Sequence, residues 1–219
     1  KVRINVVVMN FNQKIKKIES SPLRAWDRLD LLLVLLGEKP GAAINFDKVS
    51  LEPRYLPINR SLIGPSEIAY LVRTLEDIGI DYNFSQKRPI IVPENKETAL
   101  RGWSRQEVLI SNNPHLLDEV IDNTPFYGGW NFNSESGKTF FRFCGLPETA
   151  IEANSRGEGY YPPFLGQPID GFRSFVFSKE NYGDEMKICL RRHDATRKYS
   201  PKIYSEVVEA VKRVKSIND

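Results

Sequence analysis

The chain has 219 residues, 41% of them hydrophobic and 27% charged, with a net charge of +3, two cysteines and two histidines. That is enough apolar material to bury a core without staples, while two lone cysteines and two scattered histidines exclude a disulfide framework and make a zinc cage improbable. The longest unbroken apolar run, Leu31–Leu36, is far shorter than the roughly 20 residues that cross a bilayer, so the composition describes a self-sufficient cytoplasmic globule with no membrane partner.

The chain opens on Lys1-Val-Arg-Ile-Asn-Val-Val-Val-Met-Asn10, a basic start with polar interruptions and no small-residue cleavage site. It reads as a strand over Val2–Phe11 rather than a signal peptide. The missing initiator methionine suggests a trimmed or excised piece. A polar residue followed by proline predicts helix starts at Ser21-Pro22, Asn113-Pro114 and Ser200-Pro201, because proline at the first helical position wastes no backbone donor. A further helix is predicted from Pro65-Ser66, where Ile68, Leu71, Val72, Leu75 and Ile78 recur at helical spacing until Gly79. Alternation and β-branched or aromatic content predict strands at Ala43–Leu51, Ile80–Phe84, Pro89–Val92, Trp130–Asn133, Thr139–Cys144, Phe172–Ser178 and Met186–Arg191. Turn-rich stretches at 133–138 and 178–184 would join the last four strands into two hairpins.

Between them a helix is expected at Pro147–Ser155, ended by Gly157. The Gly- and Pro-rich segment 158–171 is too broken for a regular element, and loops of that length usually do something or cover something. The last helix carries Ile203, Val207, Val211 and Val214 on one face and Lys202, Glu209, Lys212 and Arg213 on the other. The fold class is therefore α+β, a mixed or antiparallel sheet with about four to six helices and a hairpin-rich C-terminal half. A single domain over 1–219 is expected, with a subdomain seam near 123–125 as the alternative.

Charge is unevenly spread. Residues 1–17 carry five Lys or Arg and no acid, and residues 185–219 carry nine against five acids, so the two ends hold +9 and the middle −6. Termini that lie close together would form one basic face, suited to phosphate backbones or an acidic protein partner. The densest cluster is Arg191, Arg192, His193, Arg197, Lys198 and Lys202, where paired guanidinium groups suit anions; a solvated connection neutralised by Asp194 is the plainer account. Fourteen of the 24 aromatic residues fall within Phe126–Arg191. Tyr160, Tyr161 and Phe164, with Trp103 and Trp130, could stack on bases, although core packing claims most such rings.

Two motifs suggest chemistry. Ser136-Gly-Lys-Thr139 imitates the end of a phosphate loop, but Phe132 stands where the first glycine belongs and the following residues read as a strand, so a hairpin turn is preferred. Asp81, Glu94 and Lys96 match the Asp…Glu-x-Lys pattern of a Mg²⁺-dependent nuclease of the restriction-endonuclease type, with Glu67 or Glu76 as a further ligand. The alternating Asp81 and Asn83 also look like an ordinary solvent face. Asp170 with Glu185 and Lys187 repeats the pattern, but acids at the starts of antiparallel strands could not share an ion. The leading expectation is a non-catalytic domain that binds nucleic acid or an acidic protein partner without a cofactor, inside a larger assembly. The nuclease using Mg²⁺ is the alternative, and a pocket lined by the Gly/Pro/Tyr loop is a third.

Overall fold

A computed structural model describes residues 9–48, 65–85, 88–89, 104–122, 132–160, 167–173 and 175–218. Among them are eight α-helices and two antiparallel sheets, an α+β fold. The elements in order are α1 (Phe11–Glu19), α2 (Ala25–Leu35), β1 (Gly41–Lys48), α3 (Pro65–Ile78), β2 (Asp81–Phe84), β3 (Arg88–Pro89), β4 (Ser104–Ser111), α4 (Pro114–Asp122), α5 (Glu135–Phe143), α6 (Glu148–Ser155), β5 (Gly159–Tyr160), a 3-10 turn (Pro168–Phe172), β6 (Phe177–Ser178), α7 (Tyr182–Tyr199) and α8 (Pro201–Asn218).

The larger sheet is organised by β4. β1 pairs with it on one side, with Ala42 opposite Ile110 and Ile44 opposite Val108, and β2 and β3 pair on the other. Side chains alternate across a strand, and this sheet uses both faces. Ala42, Ile44, Val108 and Ile110 join the core built by α1, α2, α3 and α8, whereas Ala43 and Leu109 face α4 and α5. A third apolar cluster, around Ile151, Phe175, Phe177 and Cys189, lies under α6, α7 and the β5–β6 pair. Gly41 is where the sheet meets α5: a side chain there would run into the Phe143 ring and the Ile110 carbonyl.

Several predicted helices are present. α3, α4, α6 and α8 start close to the expected residues, and the chain leaves α3 and α6 where expected, through Gly79 and Gly157, at φ of 69° and 74°. Such left-handed positions favour glycine. Inward residues of α8 are Ile203, Val207 and Val211, as its spacing requires.

Other segments differ. Thr139–Cys144 is not a strand but part of α5, because Ser134 accepts the Gly137 amide at 3.0 Å and caps a helix; the expected turn at 133–138 is that helix's first turn. Met186–Arg191 lies within α7, so the hairpin expected at 178–184 is a strand-to-helix junction and the C-terminal half is mainly helical. The total exceeds the expected four to six helices for this reason. Ser21 and Pro22 do not open α2. The Ser21 hydroxyl donates to the Ile18 carbonyl at 2.8 Å and closes α1, and α2 begins at Ala25. Phe11 belongs to α1, after an Asn10–Gln13 capping box, rather than to a strand. The first strand's residues 1–8, the end of Ala43–Leu51, Val92, Trp130 and the seam at 123–125 lie outside the described residues.

Candidate functional site

The predicted basic cluster falls on α7 and the corner where it meets α8. α7 has Asp184 and Glu185 in its first turn and Arg197 and Lys198 in its last, each sign at the end the helix dipole favours. Its buried residues are Glu185, Cys189, Arg192 and Thr196, spaced for one face and mostly polar. Most polar groups of that face have partners inside the protein. Glu185 accepts the Ser178 amide at 2.7 Å and the Thr149 hydroxyl at 2.5 Å. The Arg192 guanidinium donates to the Gly145 carbonyl at 2.7 Å and lies 5.9 Å from the Phe175 ring centroid. Burial holds its pKa below the usual arginine value.

The six predicted anion-binding residues are thus divided. Arg192 points into the interior and supports the fold. Arg191 is on the surface but pairs with Glu38 at 2.5 Å. His193 Nε2 lies 3.0 Å from the Tyr204 hydroxyl and Nδ1 2.9 Å from Asp194, which fixes the ring. Lys202 donates to the Glu19 carbonyl at 2.9 Å, a bond that fixes the side chain without neutralising it. Arg197 and Lys198 are exposed, and Lys198 Nζ lies 5.0 Å from the Tyr199 ring centroid.

The corner brings early and late parts of the chain together. Besides the Lys202 bond, the Ser200 hydroxyl donates to Glu19 Oε1 at 2.6 Å. Phe11, at the start of α1, meets Tyr199 edge-on with ring centroids 5.8 Å apart. Both rings remain open to solvent, Phe11 at 42% and Tyr199 at 41% exposure. Exposed Lys16 belongs to the same α1, while Lys17 is engaged by Asp77 at 2.7 Å. Two adjacent open rings beside Lys198 form an amphipathic platform. Phe11 and Tyr199 were not singled out from sequence. Their only signal is position, each beside a helix boundary and, for Tyr199, beside Lys198.

The aromatic residues expected to contact a ligand lie elsewhere. Tyr160 is half-buried and meets Tyr182 edge-on at 5.6 Å; Tyr161 and Phe164, like Trp103 and Trp130, lie outside the described residues. Asp81 heads β2 opposite Ser111 and is exposed, whereas Glu94 and Lys96 lie outside the described residues. Glu76 accepts the Tyr82 hydroxyl at 3.2 Å. Asp170 accepts the Gln167 amide at 3.2 Å, closing its own turn, while Glu185 is committed to Ser178 and Thr149. Lys187 pairs with Asp184 at 2.7 Å. Among the described residues no group of three or more His, Cys, Asp or Glu side chains is arranged to hold a metal ion, and no helix is long and apolar enough to cross a membrane.

Ser136-Gly-Lys-Thr139 does lie in the first turns of a helix, contrary to the expected hairpin turn leading into a strand. The Gly137 amide is used by Ser134, Lys138 sits 3.4 Å from Glu135, and Phe132 stacks on Phe141 at 4.0 Å. A residue packed in that way cannot supply the turn a phosphate loop needs from its first glycine. Burial pushes the thiols of Cys144 and Cys189 up to about 12 and about 11, which keeps both neutral. No family model, curated protein or solved structure matches this chain.

Proposed function

We propose that this chain is a non-catalytic binding domain that engages single-stranded nucleic acid at the corner of α1, α7 and α8. The observation that carries the reading is the open Phe11–Tyr199 ring pair beside Lys198. Unpaired bases stack on exposed rings, and neighbouring cations meet the phosphates that connect them; a duplex, with its base faces hidden, could use only the cations. Exposed Lys16 on α1, Arg197 and Lys198 on α7 and Lys202 on α8 supply positive charge on the three helices of the corner, against Glu19, which is held by Ser200, and Asp194 beside His193. The same charges alone would suit an acidic protein partner, but they give no reason for two adjacent aromatic rings to stay in water.

The test is anisotropy of a labelled oligothymidine across a salt series. Binding should weaken steeply with salt, by a log–log slope of about 0.7 per phosphate contacted. Tyr199→Ala should weaken it by about ten-fold, since stacking contributes roughly 1–3 kcal/mol per base, and the double variant Arg197→Glu, Lys198→Glu should reduce the slope. Polyglutamate should bind at least ten-fold more weakly than the oligonucleotide. Salt-insensitive binding, or equal affinity for polyglutamate, would overturn the assignment.

A further inference from the structure

The three apolar clusters among the described residues approach one another, the second and third sharing Phe141 and Cys144 at their margins, and the space they leave is a cleft of about 430 Å³. Its walls are aromatic: Trp26 and Phe172 from the first cluster's side, Phe132, Phe141 and Phe175 from the second, and Phe140 from the third. Trp26 is 39% exposed. The volume lies within the range of pockets that hold small molecules, about 300–1,000 Å³, which are likewise mostly apolar with a few convergent polar groups.

The polar groups here are unusual for an apolar seam. The Lys39 side chain, only 4% exposed, lines the cleft with its ammonium 2.6 Å from Asp30 Oδ1. An ammonium carries three donors, and Asp30 is its partner among the described residues, so two donors remain to be satisfied in a site where burial makes an unmet donor costly. Arg173 lines the cleft as well, and Arg192 lies just behind it, against the position where a Gly145 side chain would project. On the acidic side, the lining holds Asp30. Two cationic side chains, Lys39 and Arg173, and one carboxylate, Asp30, therefore line an aromatic cavity.

We propose that this cleft is a binding site for a small aromatic monoanion, with the ring held among the phenylalanines and the carboxylate or sulfonate received by Lys39 beside Asp30. Cys144, in the wall, is neutral and serves as packing rather than as a nucleophile, so the ligand is bound and not attacked. The site shares no side chain with the α1/α7/α8 corner and stands independently of the nucleic-acid reading.

The test uses anilinonaphthalene sulfonate, an aromatic monoanion whose emission rises on leaving water, displaced by three probes of one shape: 3-phenylpropionate, 3-phenylpropanol and phenethylammonium. The wild-type protein should give one saturable site, with 3-phenylpropionate competing at a concentration about ten-fold or more below phenethylammonium. Cys144→Phe, which fills the cleft, should weaken dye binding at least ten-fold. Lys39→Gln should weaken 3-phenylpropionate by about ten-fold while leaving 3-phenylpropanol within about two-fold, a pattern that general unfolding would not produce, and it decides the matter should Cys144→Phe fail to fold. Non-saturable dye binding, unchanged binding in a folded Cys144→Phe, or equal competition by the anion and the ammonium would overturn the proposal.

Discussion

The Ser200 hydroxyl donates to Glu19 Oε1 at 2.6 Å while accepting the Ile203 amide at 3.2 Å, so one buried side chain both caps α8 and ties it to α1. Cap loss alone costs about 1 kcal/mol, and a hydrogen bond to a carboxylate contributes about as much or more. Ser200→Ala should therefore lose about 2 kcal/mol in urea denaturation, and Ser200→Thr, which keeps the hydroxyl, should lose less.

Arg192 and its neighbours on α7 should separate into two kinds. Arg192→Ala removes a buried guanidinium from the Gly145 carbonyl and from Phe175, at a cost of about 3 kcal/mol. Arg197→Glu, fully on the surface, should change stability by less than about 0.5 kcal/mol. Parallel melts of the two variants check this. They also determine which cations can be reversed in a binding assay without disturbing the fold.

Glu185 is a buried carboxylate met by the Ser178 amide and the Thr149 hydroxyl. Thr149→Val keeps the shape and removes one donor. The expected loss is about 1–3 kcal/mol, and hydrogen exchange at the Ser178 amide should quicken, since the carboxylate then holds the α6, β6 and α7 junction less firmly.

Asp27 gives the fold a pH dependence. Burial raises its pKa above the ordinary 3.8, despite the fork of bonds from Arg24 at 2.6 and 2.9 Å. The native state thus holds this proton more tightly than the unfolded chain. The resulting stability is fully present below the ordinary aspartate value and is lost as pH rises through the raised one. Relative to Asp27→Asn, the wild-type protein should lose stability on going upward from about pH 4, levelling once the carboxyl is ionised; urea titrations at a series of pH values measure the difference.

Burial keeps the thiols of Cys144 and Cys189 neutral, and a neutral thiol is a poor nucleophile. At pH 7.5 neither should react with iodoacetamide in native protein within an hour, and both should react in urea. Mass spectrometry of the labelled chain distinguishes these states.

What was legible in the sequence follows from how each segment is buried. α3 and α8 show one apolar stripe each because their inward residues are Leu, Ile and Val, so hydrophobic spacing finds them. α7 hides the same periodicity. Its inward face is Glu185, Cys189, Arg192 and Thr196, while Leu190 is 47% exposed, and a search for apolar spacing reads Met186–Arg191 as a strand. In α5 the rings of Phe140, Phe141 and Phe143 are divided between two clusters, which gives a near-continuous aromatic run. β4 begins with Ser104-Arg-Gln-Glu107, and its apolar part, Val108–Ile110, is too short to announce a central strand. The basic cluster was readable as a cluster, but not its division: Arg192 turns inward because Gly145 offers a carbonyl from a distant segment, a contact no local pattern encodes.

The central position of β4 has a consequence for how the polypeptide is made. β1, β2 and β3 all pair with a strand that follows them in the chain. A ribosome that has released residues 41–89 has therefore delivered three pieces whose shared ladder partner has yet to emerge. Pairing across such separations is slow because loop closure precedes the reward of contact, and exposed strand edges invite association with other molecules. Until Ser111 clears the exit tunnel, the nascent protein depends on early helix packing, or on chaperones, to stay solitary.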